Sequence, residues 1–196
     1  MSHSAGRRQL GPTDVKRLNR QWRRLTQARL CLLLDGVGQP FNVGSIIRTA
    51  AAFGVDQLWL CGDSAAPQHP SARKTALGTD RYLDTEHEPD ARAAGASARA
   101  AGLRVVAIEL AAGAVPLHEA PLDGGVCLAV GNEDRGCSPG LLAVADVVAY
   151  IPLPGKVGSL NVAAAAAIAL AEVRRREWAG LDAPDLTAPG RGGART

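Results

Sequence analysis

Five short apolar runs, each bounded by Gly, Asp or Pro, constrain this chain more than any other feature. They are Leu30–Asp35 (Leu-Cys-Leu-Leu-Leu-Asp), residues 58–61, residues 105–108, residues 126–130 and residues 147–151. Runs this short and this continuously apolar suit strands buried on both faces, as in a parallel sheet covered by helices. Helical segments lie between them. Residues 43–53 end at Gly54 and residues 90–101 at Gly102, each glycine standing where a helix C-terminus favours one. Ser138 and Pro139 open a short helix over residues 139–145 as cap and first residue, and residues 162–178 form the longest helix. Strand alternating with helix predicts an α/β fold with a largely parallel sheet.

A chain of 196 residues fits one domain with a sizeable core. With two Phe and two Tyr in all, that core must rest on Val, Leu, Ile and closely packed Ala. Residues 1–29 read as a basic N-terminal extension, helical over residues 13–27 on an apolar stripe of Leu18, Trp22 and Leu25. Residues 30–180 read as the folded domain, and the Pro/Gly-rich residues 181–196 as a disordered tail.

The net charge is +3, but it is unevenly placed. Arg7, Arg8, Lys16, Arg17, Arg20, Arg23, Arg24 and Arg29 face the single acid Asp14 in the extension. Such a block suits a polyanion, because each contacted phosphate releases counterions. Arg17, Arg20 and Arg24 are the candidate contacts, and a merely solvated helix face is the alternative. The cysteines Cys31, Cys61, Cys127 and Cys137 show no CxxC spacing, and the first three sit inside apolar runs. The expectation is a cytoplasmic protein with neither disulfides nor a metal. The N-terminus lacks an apolar signal core, and residues 162–171 are too short to span a bilayer.

Three polar segments interrupt the pattern. The first, residues 42–49 (Asn-Val-Gly-Ser-Ile-Ile-Arg-Thr), follows the first strand, where parallel sheets bind ligands. Ile46, Ala50 and Phe53 form an apolar face that leaves Arg48 outside it. On spacing alone Arg48 reads as a surface arginine. The second, residues 130–136 (Val-Gly-Asn-Glu-Asp-Arg-Gly), is a glycine-bounded loop after a strand. The third, residues 151–162 (Ile-Pro-Leu-Pro-Gly-Lys-Val-Gly-Ser-Leu-Asn-Val), is a stretch stiffened by two prolines that enters a helix, with Ser159 or Asn161 as cap. Its backbone groups are free to hold a ligand. Familiar phosphate loops are excluded: Cys137 stands where a Walker loop needs lysine, and no GxGxxG follows the first strand.

In type, order and position, these segments resemble the three motifs of the SPOUT superfamily, in its SpoU/TrmH branch of RNA 2′-O-methyltransferases. The likeness covers roughly residues 30–176. It implies a domain whose C-terminal part forms a deep trefoil knot, which default topology rules would never suggest. It implies S-adenosylmethionine as cofactor, held mostly by backbone groups at Ile108, Gly131, Ile151, Leu153 and Leu160. It implies a homodimer whose active site is completed by the partner chain, with residues 162–178 as the candidate interface. The family's polar positions map onto Arg48, Asn42 and Glu133 as the catalytic set, and onto Ser159 and Asn161 at the knot loop and substrate. Arg48 has two open roles: a base in unusual surroundings, or a fork gripping the phosphate beside the reacting ribose. Chain size, and residues 74–83, resemble the tRNA guanosine-18 enzymes. Residues 132–134 and 156–158 follow the general SpoU pattern, which keeps 23S rRNA as the alternative substrate. A non-catalytic RNA-binding protein on the same fold is the remaining reading, with base methylation behind it.

Overall fold

The computed structural model describes residues 9–184. They divide into two units: Ala28–Glu177, and the N-terminal segment with residues 178–184. Arg7, Arg8 and residues 185–196 of the expected tail lie outside the described residues.

In the smaller unit, helix α1 (Pro12–Leu25) begins with proline in its first turn and is closed by the Thr26 hydroxyl, which donates to the Trp22 carbonyl. Trp22 packs on Trp178 with ring centroids 4.7 Å apart, and Trp178 Nε1 donates to Thr26 Oγ1. Arg20, Arg23 and Arg24 are exposed, whereas Arg17 is half-buried and lies 3.4 Å from Asp14.

The larger unit is a seven-stranded parallel sheet flanked by helices. In chain order it contains β1 (Leu30–Asp35), α2 (Pro40–Ala52), β2 (Gln57–Cys61), α3 (Pro70–Ala76), a 3₁₀ turn (Thr79–Tyr82) and β3 (Asp84–Glu88). Next come α4 (Ala91–Ala100), β4 (Arg104–Ile108), β5 (Val115–Pro116), β6 (Val126–Gly131), α5 (Pro139–Val144), β7 (Val147–Tyr150) and α6 (Val162–Glu177). The strand order is β3-β2-β1-β6-β4-β7-β5, and every pairing is parallel.

Side chains alternate across the sheet, so β1 feeds two cores. Leu30, Leu32 and Leu34 meet Val43, Ile46 and Ile47 of α2 with Ala166, Ala169 and Leu170 of α6. Cys31 and Leu33 meet Ala91, Ala94 and Ala98 of α4 with Leu141 of α5. Each fully buried leucine contributes about 1.5–3 kcal/mol. Burial on both faces is why the strand reads as one unbroken apolar run.

Helix α2 starts at Pro40, three residues before the expected start, because proline is pre-set for the first helical turn. Asn42 therefore lies inside the helix and not ahead of it. Gly44 is there for packing: a Cβ would overlap Thr75 and the Ala72 carbonyl of α3. Strands β3 and β5, helix α3 and the 3₁₀ turn have no apolar run to announce them. β3 (Asp-Thr-Glu-His-Glu) is an edge strand, and its charges suit a position that must not pair further.

All four cysteines are free and buried in the second core. Burial pushes every thiol up, Cys61 to about 12 with Asp35 and nearby acids adding to the effect. Iodoacetamide at about pH 8 is expected to label the folded chain on the order of 100-fold more slowly than the urea-unfolded chain. Equal rates would show that these thiols are reachable in the native state.

Candidate functional site

Because the strands are parallel, their C-terminal ends share one side, and there the loops after β4, β6 and β7 enclose a cleft of about 920 Å³. That volume lies within the range of small-molecule clefts. Ile108, Gly131, Ile151, Leu153 and Leu160, the five positions expected to hold a cofactor, all line it. Gly131 ends β6 against its own loop, where a Cβ would overlap the backbone of Gly136 and Cys137. Among the described residues, none exchanges a hydrogen bond with residues 153–159. The cleft thus offers apolar walls and unused backbone donors and acceptors.

A side-chain relay ties the three polar segments together. Asn161 Nδ2 donates to Asn42 Oδ1 at 3.0 Å, and Asn42 Nδ2 donates to Glu133 Oε1 at 2.8 Å. The Glu133 carboxylate also accepts from the amides of Gly38 and Gln39, at 3.2 and 3.3 Å. Partial burial pushes this carboxyl up, but the bonds from Asn42 and the two amides outweigh it and hold it below its usual value. Glu133 is therefore an anionic acceptor at neutral pH. Asn161 settles the capping question at α6: its Oδ1 accepts from the amides of Ala163 and Ala164. Ser159 lines the cleft, exposed, and its hydroxyl has no partner among the described residues.

Arg48 stands apart. It is exposed on α2, forms no ion pair or side-chain hydrogen bond among the described residues, and is not part of the cleft wall. The structure brings Asn42, Glu133, Ser159 and Asn161 together and leaves Arg48 outside that group. Two contributors escaped the sequence reading. Asn132 locks the loop after β6, donating to the Gly36 carbonyl at 2.6 Å while accepting from the amides of Asp134 and Arg135. Its place beside the flagged Glu133 was the available signal. Glu109, next to the flagged Ile108, lines the cleft. No group of His, Cys, Asp or Glu among the described residues could hold a metal ion, and no helix there is long and apolar enough to cross a membrane.

Known proteins resemble this chain in sequence and in fold. The chain is 35% identical over 148 residues to a 23S rRNA (guanosine-2′-O-)-methyltransferase of Acinetobacter baylyi, covering 75% of this chain and 60% of that protein. It is 30% identical over 173 residues to the tRNA (guanosine(18)-2′-O)-methyltransferase of Escherichia coli, covering 88% and 74%. The solved structure of an S-adenosylmethionine-bound rRNA methyltransferase from Sinorhizobium meliloti superimposes with a TM-score of 0.72 at 34% identity, covering 76% of this chain and 57% of that one. The chain spans about 60% of the length of the curated rRNA relatives it matches. The profile of the SpoU rRNA Methylase family matches residues 29–171. With its three motifs joined in one relay beside a strand-end cleft, the chain belongs to the SpoU rRNA Methylase family.

Proposed function

We propose that the chain transfers a methyl group from S-adenosylmethionine to a ribose 2′-hydroxyl of RNA. The observation that carries this reading is the cleft walled by the free backbone of residues 153–159 and braced by the Asn161–Asn42–Glu133 relay. When bound, S-adenosylmethionine supplies an electrophilic methyl group on a sulfonium sulfur. Ile108, Ile151, Leu153 and Leu160 offer apolar contact to its base, and the open amides and carbonyls recognise the polar edges. Gly131 lets the loop after β6 fold back against the strand end that floors the cleft. The relay holds the loop after β7 at a fixed height, so that Ser159 presents a free hydroxyl to the substrate. Arg48, exposed and unpaired, suits the fork role: a planar guanidinium that grips the phosphate next to the reacting ribose and steadies charge as its proton leaves.

The homodimer belongs to this reading. A cleft without its own Arg48 is completed if a second copy supplies that residue. Exposed Ala164, Ile168 and Ala171 on α6 form an apolar stripe suited to such a contact. The trefoil knot also belongs to it, supported by β7 lying between β4 and β5 and by Asn161 returning to Asn42, the partner of Glu133. We place the protein in the cytoplasm, where its RNA substrates are.

For the substrate, tRNA guanosine-18 comes first, supported by the match over most of both chains to the Escherichia coli enzyme. The higher identity to rRNA enzymes favours 23S rRNA as the second reading. The test is transfer of labelled methyl into unmodified tRNA and 23S rRNA transcripts, followed by nucleoside analysis. 2′-O-methylguanosine in the tRNA D-loop supports the first reading, and label confined to rRNA supports the second. Absence of label from both would sink the enzyme reading.

The arginines of α1 are expected to add RNA affinity without sequence preference. Replacing Arg17, Arg20 and Arg24 together by alanine should flatten the log Kd against log salt dependence by about 2 units, at 0.7–0.9 per lost phosphate contact. An unchanged slope would make that face solvated surface.

A further inference from the structure

We propose that Glu109 receives the ribose diol of S-adenosylmethionine, an assignment that rests on the methyltransferase reading above. Glu109 follows Ile108, the last residue of β4, and lines the cleft. Its carboxylate is fixed from two sides: Oε1 accepts from the Leu110 amide at 2.9 Å, and Oε2 accepts from the Cys137 amide at 2.8 Å. It is also wedged against Gly136, which has φ +68°, and a Cβ there would overlap the carboxylate. The strand end and the loop after β6 therefore hold this group in one place before any ligand arrives.

A carboxylate has about four acceptor positions; the two amides use one on each oxygen, and the Cys137 thiol also reaches the carboxylate as a weak donor. A hydroxyl donates more strongly than a thiol, so one position per oxygen is open to a ligand that brings hydroxyls. No cation claims them: Glu109 has no ion pair among the described residues, and the one Lys or Arg on the cleft wall, Arg135, lies 3.8 Å from Asp63 instead. An anchored acceptor pair with a spare position on each atom matches two neighbouring hydroxyl donors. Of the groups on the cofactor, the 2′- and 3′-hydroxyls of the ribose are the only such pair. Carboxylates at strand ends of parallel sheets read nucleoside ribose in the same manner. The neighbouring apolar walls at Ile108 and Ile151 leave the base a place beside the sugar.

The experiment is calorimetric binding of S-adenosylhomocysteine and its 2′-deoxy, 3′-deoxy and desamino forms to the wild-type chain, Glu109→Ala and Glu109→Gln. The wild type is expected to prefer the full diol over either deoxy form by about 10–100-fold. In Glu109→Ala these three ligands should bind alike, because the partner of the missing hydroxyl is gone. Glu109→Gln keeps the volume but turns one acceptor into a donor, so where Glu109→Ala fails to fold it should lose the preference for one of the two hydroxyls and keep that for the other. Weakening of all ligands by one factor, with the diol preference intact, would reduce Glu109 to a brace of the loop and overturn the assignment. Loss of discrimination against the desamino form alone would overturn it in favour of the ammonium. A wild-type chain that binds no S-adenosylhomocysteine would overturn the methyltransferase reading with it.

Discussion

Arg48→Ala is expected to lower single-turnover methyl transfer by about 10²–10⁴-fold, the range set by loss of one positioned catalytic group. S-adenosylmethionine binding should be unchanged, since Arg48 takes no part in the cleft wall. The size of the effect follows from the chemistry. A ribose hydroxyl is a weak nucleophile, and small errors in its approach to the methyl carbon cost heavily. Ile46, Ile47 and Ala50 are buried around Arg48 on α2, so the helix is fixed and only the guanidinium is free to meet RNA. Arg48→Lys should recover little, because an ammonium cannot replace a two-pronged grip. Normal turnover in Arg48→Ala would remove the residue from the mechanism. A raised KM for RNA with kcat intact would leave it a binding role only. The dimer reading adds a sharper test. Mixing Arg48→Ala with a second inactive variant altered in the cleft, Asn161→Ala, should restore activity, since a mixed dimer holds one intact site. No recovery on mixing would mean that each chain uses its own Arg48.

β1 is legible residue for residue because both its faces are buried, and the solvent leaves no polar mark on it. β3 is illegible for the opposite reason, since an exposed edge strand can be built from Asp, Thr, Glu and His. The polar residues of the site stand out by type, and a family resemblance gives them an order. Their pairing does not stand out. Asn42 meets Glu133 and Asn161 across 91 and 119 positions of chain, separations on which no periodicity bears. Glu109 went unnoticed because a single acid after an apolar strand looks like the ordinary end of that strand. Its importance comes from Gly136 and Cys137, which the fold brings to it.

The largest stability effect is expected at Arg174, the first of three consecutive arginines and only 1% exposed. The register of α6 carries the signal, because Val162, Ala166, Ala169, Leu170 and Val173 mark a buried stripe that Arg174 continues. Its Nε donates to the Phe53 carbonyl and its Nη2 to the Gly54 carbonyl, closing the C-terminus of α2. Its Nη1 donates to the Ala28 carbonyl ahead of β1 and to Glu177 Oε2 at 2.6 Å, while Glu177 Oε1 accepts from the Ala28 amide. One guanidinium thus joins the end of one helix, the approach to the central strand and the last turn of another. A cation placed at two helix C-termini is favourable in itself. Arg174→Met keeps much of the apolar stem but strands three carbonyls and takes one donor from the Glu177 carboxylate. The cost expected for breaking such a buried pair is about 3–5 kcal/mol, a large share of the roughly 5–15 kcal/mol that holds a domain together. For a chain of this length it corresponds to a fall in Tm of roughly 6–20 °C, read by thermal unfolding and checked against the urea midpoint. Arg174→Lys should regain less than half, because three donors on one nitrogen cannot reach four acceptors spread around a planar fork. A variant whose Tm stays at the wild-type value would mean that water enters and satisfies these carbonyls, and that α6 is held by its alanine stripe alone.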